Sequence, residues 1–195
     1  MLPLLVVLAY LLGSVSFSIV VVRLFFRKDI REEGSGNAGA TNVLRNHGTK
    51  AGIAVAVLDV AKGAAAVWGV KWATADPAWL SAAAFAVVLG HVFPVFFRFR
   101  GGKGVATTVG AFLVLAPAAT AVVIALFVLV VALTRYVSLG SILAATALPP
   151  VALYLFRSPD AVALSAGATA LLILFKHREN LRRLAAGSER RLGRK

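Results

Sequence analysis

The chain has no cysteine, which removes disulfides, thiolate nucleophiles and sulfur-ligated metals together. Its 3 histidines, His47, His91 and His177, show no His-x3-His spacing and no neighbouring carboxylate cluster, so no metal is expected. There is no Gly-x-Ser-x-Gly elbow, no His-x4-Asp pair and no Walker-type Gly-x4-Gly-Lys-Ser/Thr loop. Pro/Gly/Ser-rich linkers, low-complexity tracts and tandem repeats are also missing, so residues 1–195 read as a single domain. Acidic residues are scarce, 8 against 21 Lys and Arg.

What fills the chain instead is apolar. Hydrophobic residues make up 59%, charged residues 15%, and the mean hydropathy is +0.85. A soluble domain cannot hide that much apolar surface, so the expected class is an all-α, polytopic integral membrane protein. The net charge of +13 superficially suits a nucleic-acid surface. Its distribution does not, because the basic residues fall in hydrophilic gaps between apolar runs, as the positive-inside rule requires. Neither nucleic acid nor an obligatory protein partner is expected. The first apolar run lacks a basic n-region and continues to spanning length, so it reads as a span and not as a cleavable signal.

Apolar runs occupy residues 2–26, 51–75, 78–97, 105–134, 137–156 and 161–175. As one helix, 105–134 would be about 45 Å long against a hydrocarbon core of about 30 Å. Pro117 lies near its middle and would break it. Splitting it into spans 105–116 and 118–134 gives seven transmembrane helices, with the N-terminus outside and the C-terminus cytoplasmic. All Lys and Arg except Lys62, Lys71 and Arg157 then face inward, the outcome the positive-inside rule favours. The half-length segment 105–116 must lean on neighbours or thin the bilayer.

This topology gathers three polar segments on one membrane face. In "REEGSGNAGATNVLRNHGTK", Gly34, Gly36 and Gly39 permit close backbone approach and positive φ. Ser35 and Asn37 suit N-caps, and residues 38–47 suit a short helix closed by Gly48. A glycine-rich turn entering a helix is an anion site, and Arg45 adds a fork for phosphate or carboxylate. The plainer alternative is a cytoplasmic loop bearing topogenic charge.

In "RFRGGKGVATTVG", Gly101, Gly102 and Gly104 flank Lys103 just before a helix N-terminus that includes Thr107. Bare amides, a helix dipole and a point charge can cradle phosphate oxygens. Membrane anchoring alone would need the cations Arg98, Arg100 and Lys103 but not the glycines. In "KHRENLRRLAAGSERR", His177 and Asn180 share a face if the last span continues as a helix, with Arg183 one turn further on. His177 suits acid/base work or phosphate donation. Arg190, Arg191, Arg194 and Lys195 suit a tail on anionic lipid.

Inside the bilayer, Asp59 and Lys62 share a face of the second span, and either a structural ion pair or a functional role fits them. His91 reads as a structural hydrogen-bonder before it reads as a catalyst. Phe93, Phe96, Phe97 and Phe99 read as interfacial packing.

"GSGNAGATNVLR", "GHVFPVFFRFRGGKGVAT" and "HRENLRRLAAGSE", in this order and spacing, resemble the three signature motifs of the bacterial acyl-phosphate:glycerol-3-phosphate acyltransferases, the PlsY family. The resemblance covers essentially the whole chain. It implies transfer of a fatty acyl group from acyl phosphate to sn-glycerol 3-phosphate, giving lysophosphatidic acid and phosphate, the first acylation of phospholipid synthesis. It also implies a bacterial cytoplasmic membrane location with the site facing the cytoplasm, and neither cofactor nor metal. Carried onto this chain, it makes Ser35, Arg45, Lys103, His177 and Asn180 the candidate catalytic residues. Gly34, Gly36, Asn37, Asn42, Gly101, Gly102, Gly104, Thr107 and Arg183 become candidate substrate ligands, with Asp59, Lys62, His91 and Glu189 in support. A phosphate or organophosphate transporter is the rival class. It would ordinarily show an inverted repeat and midplane broken helices, and seven spans do not halve. A non-catalytic lipid binder is the third.

Overall fold

The computed structural model describes residues 1–193; Arg194 and Lys195, expected in the lipid-facing tail, lie outside the described residues. Every regular element among the described residues is helical. The chain divides into two compact units, Met1–Leu115 and Ala116–Lys195.

The first unit holds α1 (Leu2–Gly13), α2 (Phe17–Phe26), α3 (Ala40–His47), α4 (Thr49–Lys71), α5 (Pro77–Val92) and α6 (Val105–Leu115). The first apolar run is not one unbroken helix. It opens at Ser14–Ser16, where the Ser14 hydroxyl bonds back to the Tyr10 carbonyl and the Ser16 and Ser18 hydroxyls pair. Non-helical backbone at membrane depth survives only where another group satisfies it. Here Lys62 does so, donating to the freed Val15 carbonyl at 2.8 Å. Asp76 caps α5 by accepting from the Ala78 amide, and Pro77 occupies the first turn, where a missing N–H costs nothing. The expected span 78–97 stops being α-helical at Val92, because Pro94 cannot donate, and finishes as the 3₁₀ turn Val95–Phe97.

Small residues set the helix packing, as is usual where lipid supplies no hydrophobic drive between helices. A Cβ at Gly13 would strike the Val87 carbonyl, and one at Gly90 the Tyr10 carbonyl, so α1 and α5 meet backbone to backbone. Gly63 and Gly110 bring α4 against α6 in the same way, through the Thr107 and Val60 carbonyls. α6 has 11 residues, about 17 Å of helix, and cannot span a bilayer core alone. It is the short segment that needed a neighbour, and α4 is that neighbour.

The second unit holds α7 (Pro117–Thr134), α8 (Val137–Pro150), α9 (Asp160–Lys176) and α10 (Arg178–Ala185). Pro117 opens α7 and does not kink it, so the break foreseen at this proline is real. Pro149 and Pro150 remove two consecutive donors, and the chain continues from α8 as the wider π turn Val151–Leu155. α9 does not run on through His177. The chain bends by 59° there, so His177 stands at the joint as the N-cap residue of α10 and Asn180 lies in the first turn of α10, not on a continuation of α9.

By length and hydropathy, Leu2–Phe26, Thr49–Lys71, Pro77–Phe97, Pro117–Thr134 and Val137–Leu155 can each cross a membrane. The bent pair α9–α10 makes a sixth candidate, and α6 is a shorter apolar helix.

Candidate active site

In the first unit, Asn42 organises the glycine-rich loop. Its amide donates to the carbonyls of Ile30, Glu33 and Asn37 at 2.9–3.1 Å, and its Oδ1 accepts from the Ser35 amide and from Asn46. The side chain is 3% exposed and its hydrogen-bonding capacity is fully engaged by the loop. Asn42, expected among the substrate ligands, is thereby placed as the loop's internal strut. Ser35 and Asn37, expected as N-caps, cap nothing; Gly39 is the N-cap residue of α3, which runs Ala40–His47 and closes at Gly48 with φ +87°. Ser35, Gly34 and Gly36 are exposed at the loop's apex, with Asn37 and Arg45 half-buried beside them.

Charge pairs pin this loop at both ends. Asp29 accepts from the Arg31 side chain at 2.7 and 3.0 Å and from Arg23 at 2.8 Å. The Arg31 guanidinium, followed by the Arg31 amide and Arg23, holds the Asp29 carboxyl well below the usual carboxylate range despite its partial burial. Arg31 also donates to the Phe97 carbonyl at 3.1 Å, tying the loop to the segment that carries the second motif. Glu33 bridges Lys28 and His47, and Lys28 above all keeps its carboxyl ionised.

The second motif lies directly against the first. A Cβ at Gly102 would run into the His91 ring and the Ala38 carbonyl, so glycine is the residue that fits there. The Gly102 amide donates to the His91 carbonyl at 3.1 Å. Gly104 has φ +88°, a left-handed turn that launches α6, and its carbonyl takes both the amide and the hydroxyl of Thr108. Lys103 stands half-buried between these two glycines, just ahead of the first-turn amides of α6 that have no partner within the helix. Thr107, expected as a ligand, is fully buried, with its carbonyl against Gly63 in the α4–α6 packing.

Beneath this motif, Asp59, Lys62 and His91 are each at most 4% exposed. Lys62 pairs with Asp59 at 2.8 Å and meets Nδ1 of His91 at 3.0 Å. The pair was expected; its third partner was not.

In the second unit, the His177 ring sits at the α9–α10 joint with Nδ1 2.8 Å from the Ile173 carbonyl. A carbonyl can only accept, so Nδ1 carries the proton of the neutral ring and Nε2 is its basic nitrogen. Asn180, 6% exposed, donates to Oε1 of Glu189 at 2.6 Å. Ser138 donates to the same oxygen at 2.9 Å, and Arg183 to Oε2 at 2.8 Å. Burial alone would raise the Glu189 pKa, but the hydrogen bonds from Arg183, Asn180 and Ser138 outweigh it, so the group is held below its ordinary value. Arg183, expected to bind phosphate, is thus engaged by Glu189. Ser138 carried no expected role; the available signal was a hydroxyl at the start of a largely apolar run that also holds Ser141 and Thr146.

An all-helical membrane protein with two glycine-rich motifs packed together and a histidine–asparagine motif at its C-terminal joint is the class that fold and site define. The chain matches the family model for glycerol-3-phosphate acyltransferase over residues 3–187. It is 46% identical over 197 aligned residues to a glycerol-3-phosphate acyltransferase of Shouchella clausii (strain KSM-K16), covering 97% of this chain and 95% of that protein. It superposes with TM-score 0.93 and 40% identity on a crystal structure of PlsY (YgiH), an integral membrane glycerol 3-phosphate acyltransferase, in its glycerol 3-phosphate form, covering 98% and 96% of the two chains. The lysophosphatidic acid form of PlsY gives TM-score 0.89 and 39% identity, covering 98% and 95%. The chain belongs to the glycerol-3-phosphate acyltransferase family.

Proposed function

We propose that the protein transfers a fatty acyl group from acyl phosphate to the 1-hydroxyl of sn-glycerol 3-phosphate, releasing lysophosphatidic acid and orthophosphate. The observation that carries the donor assignment is the packing of one glycine-rich motif on the other through Gly102, Ala38 and His91, with Lys103 alongside. Both proposed substrates bear phosphate, and a bare backbone beside a cation suits phosphate oxygens.

In this reading Lys103 and Arg45 neutralise phosphate charge, and Asn180 helps hold the same groups. At the exposed apex the Ser35 hydroxyl polarises the acyl carbonyl or orients its phosphate, the Ser35 and Gly36 amides being taken by Asn42 Oδ1 and the Glu33 carbonyl. His177, with Nε2 as its basic nitrogen, orients the attacking hydroxyl and takes its proton. The new ester C–O bond forms as the acyl C–O bond to phosphate breaks, and the electron pair leaves on orthophosphate. Because acyl phosphate is already activated, positioning and charge stabilisation suffice for much of the rate gain. No base adjoins Ser35 in sequence, so an acyl-serine intermediate is not part of the proposal.

The same reading takes seven crossings of a bacterial cytoplasmic membrane, N-terminus outside, with the three motifs cytoplasmic. Contacts within each unit support it: Arg31 reaches the Phe97 carbonyl in the first, and in the second the Leu192 amide reaches the Arg135 carbonyl at 2.7 Å. Purified protein in detergent, given acyl phosphate and glycerol 3-phosphate, should form lysophosphatidate and phosphate in equal amounts. Substrate binding without product would leave a carrier or binder as the better reading.

A further inference from the structure

Three acceptors surround the Lys62 ammonium in the interior of α4. They are the Val15 carbonyl at 2.8 Å, Asp59 Oδ1 at 2.8 Å and His91 Nδ1 at 3.0 Å. An ammonium has no lone pair, so across 3.0 Å Lys62 can only donate and His91 Nδ1 accepts; Asp59 Oδ1, the ion-pair partner of Lys62, stands further from that nitrogen at 3.5 Å. A neutral imidazole that accepts at Nδ1 carries its proton on Nε2. This is the opposite tautomer to that of His177, whose Nδ1 donates.

Nε2 of His91 lies against Gly102, in the space a side chain at that position would fill, and the His91 carbonyl receives the Gly102 amide. The histidine therefore holds the glycine from two sides, next to the carbonyl of Ala38 in the first motif. Burying a lysine and an aspartate at membrane depth is costly, and satisfying the Val15 carbonyl needs one donor but not a contact to His91. Apolar residues could not fix the tautomer of a ring.

We propose that the buried Asp59–Lys62 pair locks His91 as the Nε2–H tautomer, and that His91 so held is a positioning residue setting the Gly101–Gly104 backbone for phosphate. The proposal rests on the reading of that loop as a phosphate cradle. Removing both charges together, Asp59→Asn with Lys62→Met, avoids leaving either ion unpaired. The double variant should fold, release the tautomer, and raise the KM of at least one phosphate-bearing substrate about tenfold while kcat stays within about threefold.

Nitrogen-15 histidine spectra of the intact detergent-solubilised protein read the tautomer directly. With 3 histidines in the chain, His91→Gln identifies its signals. Wild-type protein should show His91 protonated at Nε2 and not at Nδ1, whatever the loop binds; the reverse pattern overturns the lock. A folded double variant with wild-type KM values shows a merely structural pair and overturns the positioning role. If the double variant does not fold, His91→Gln decides by the same KM measurement, and unchanged values again overturn the proposal. Lys103→Ala is the parallel arm. If it too leaves both KM values unchanged while the spectra show the lock, the cradle reading has failed and takes the positioning role with it.

Discussion

Asn180 and Glu189 face each other at 2.6 Å across the end of the last helix, and the carboxylate that receives the Asn180 amide also receives Ser138 and Arg183. One buried acid therefore fixes a candidate catalytic amide, the entry to α8 and the chain beyond α10. Glu189→Ala leaves three donors without their acceptor and should cost about 3 kcal/mol. A thermal melt in detergent should show a clear drop in Tm, whereas exposed Glu179→Ala should leave it nearly unchanged.

The same carboxylate sets an acid limit. Its pKa in the folded protein lies below the ordinary value, so its contribution is present above the unfolded carboxylate pKa of about 4.3 and is lost as pH falls through that value and below. Between about pH 6 and pH 3, wild-type Tm should fall more steeply than that of Glu189→Gln, which has no charge to lose there. Parallel curves would mean that another group governs the acid limit.

Gly102 and Gly104 fail differently when changed to alanine. At position 102 a methyl group meets the His91 ring and the Ala38 carbonyl, so the two motifs must part. At 104 the obstacle is φ +88° at the entry to α6. Both should lose about 10- to 100-fold in kcat/KM, corresponding to about 1–3 kcal/mol of overpacking or strain. Only Gly102→Ala should be partly relieved by shrinking its neighbour, through His91→Ala. Equal rescue of both would deny the direct contact.

Topology is open to chemical labelling because the chain has no native cysteine. A cysteine at position 182 should be protected from an impermeant maleimide in intact cells, and one at 157 should react. The opposite pattern would reverse the orientation, and reaction at both would remove a crossing.

The sequence showed the helical class, the break at Pro117 and the three motifs, because hydropathy, proline and glycine act over a few residues. What it could not show depended on partners far along the chain. Lys62 and Asp59 read as a pair from their spacing alone, but His91 comes 29 residues later and the Val15 carbonyl 47 residues earlier. Asn42 looked like a ligand because it sits in a motif, and only folding reveals its engagement with Ile30, Glu33 and Asn37. The last apolar run suggested a helix continuing through His177 to Asn180 because nothing local, neither proline nor glycine, marks the bend at His177.

In the proposed function the glycine-rich motif holds phosphate beside Lys103. The measurement that tests it is the steady-state kinetics of Lys103→Ala against Arg98→Ala, with acyl phosphate and glycerol 3-phosphate varied in turn. Arg98 has φ +56° and alanine keeps a Cβ there, so the second variant removes a loop cation without altering the backbone requirement. Lys103→Ala should lose a charge-assisted contact of about 1.5–3 kcal/mol, or about 10- to 150-fold in kcat/KM, while Arg98→Ala stays near wild type. Two variants of equal, near-normal activity would contradict the account and leave the motif as a membrane anchor.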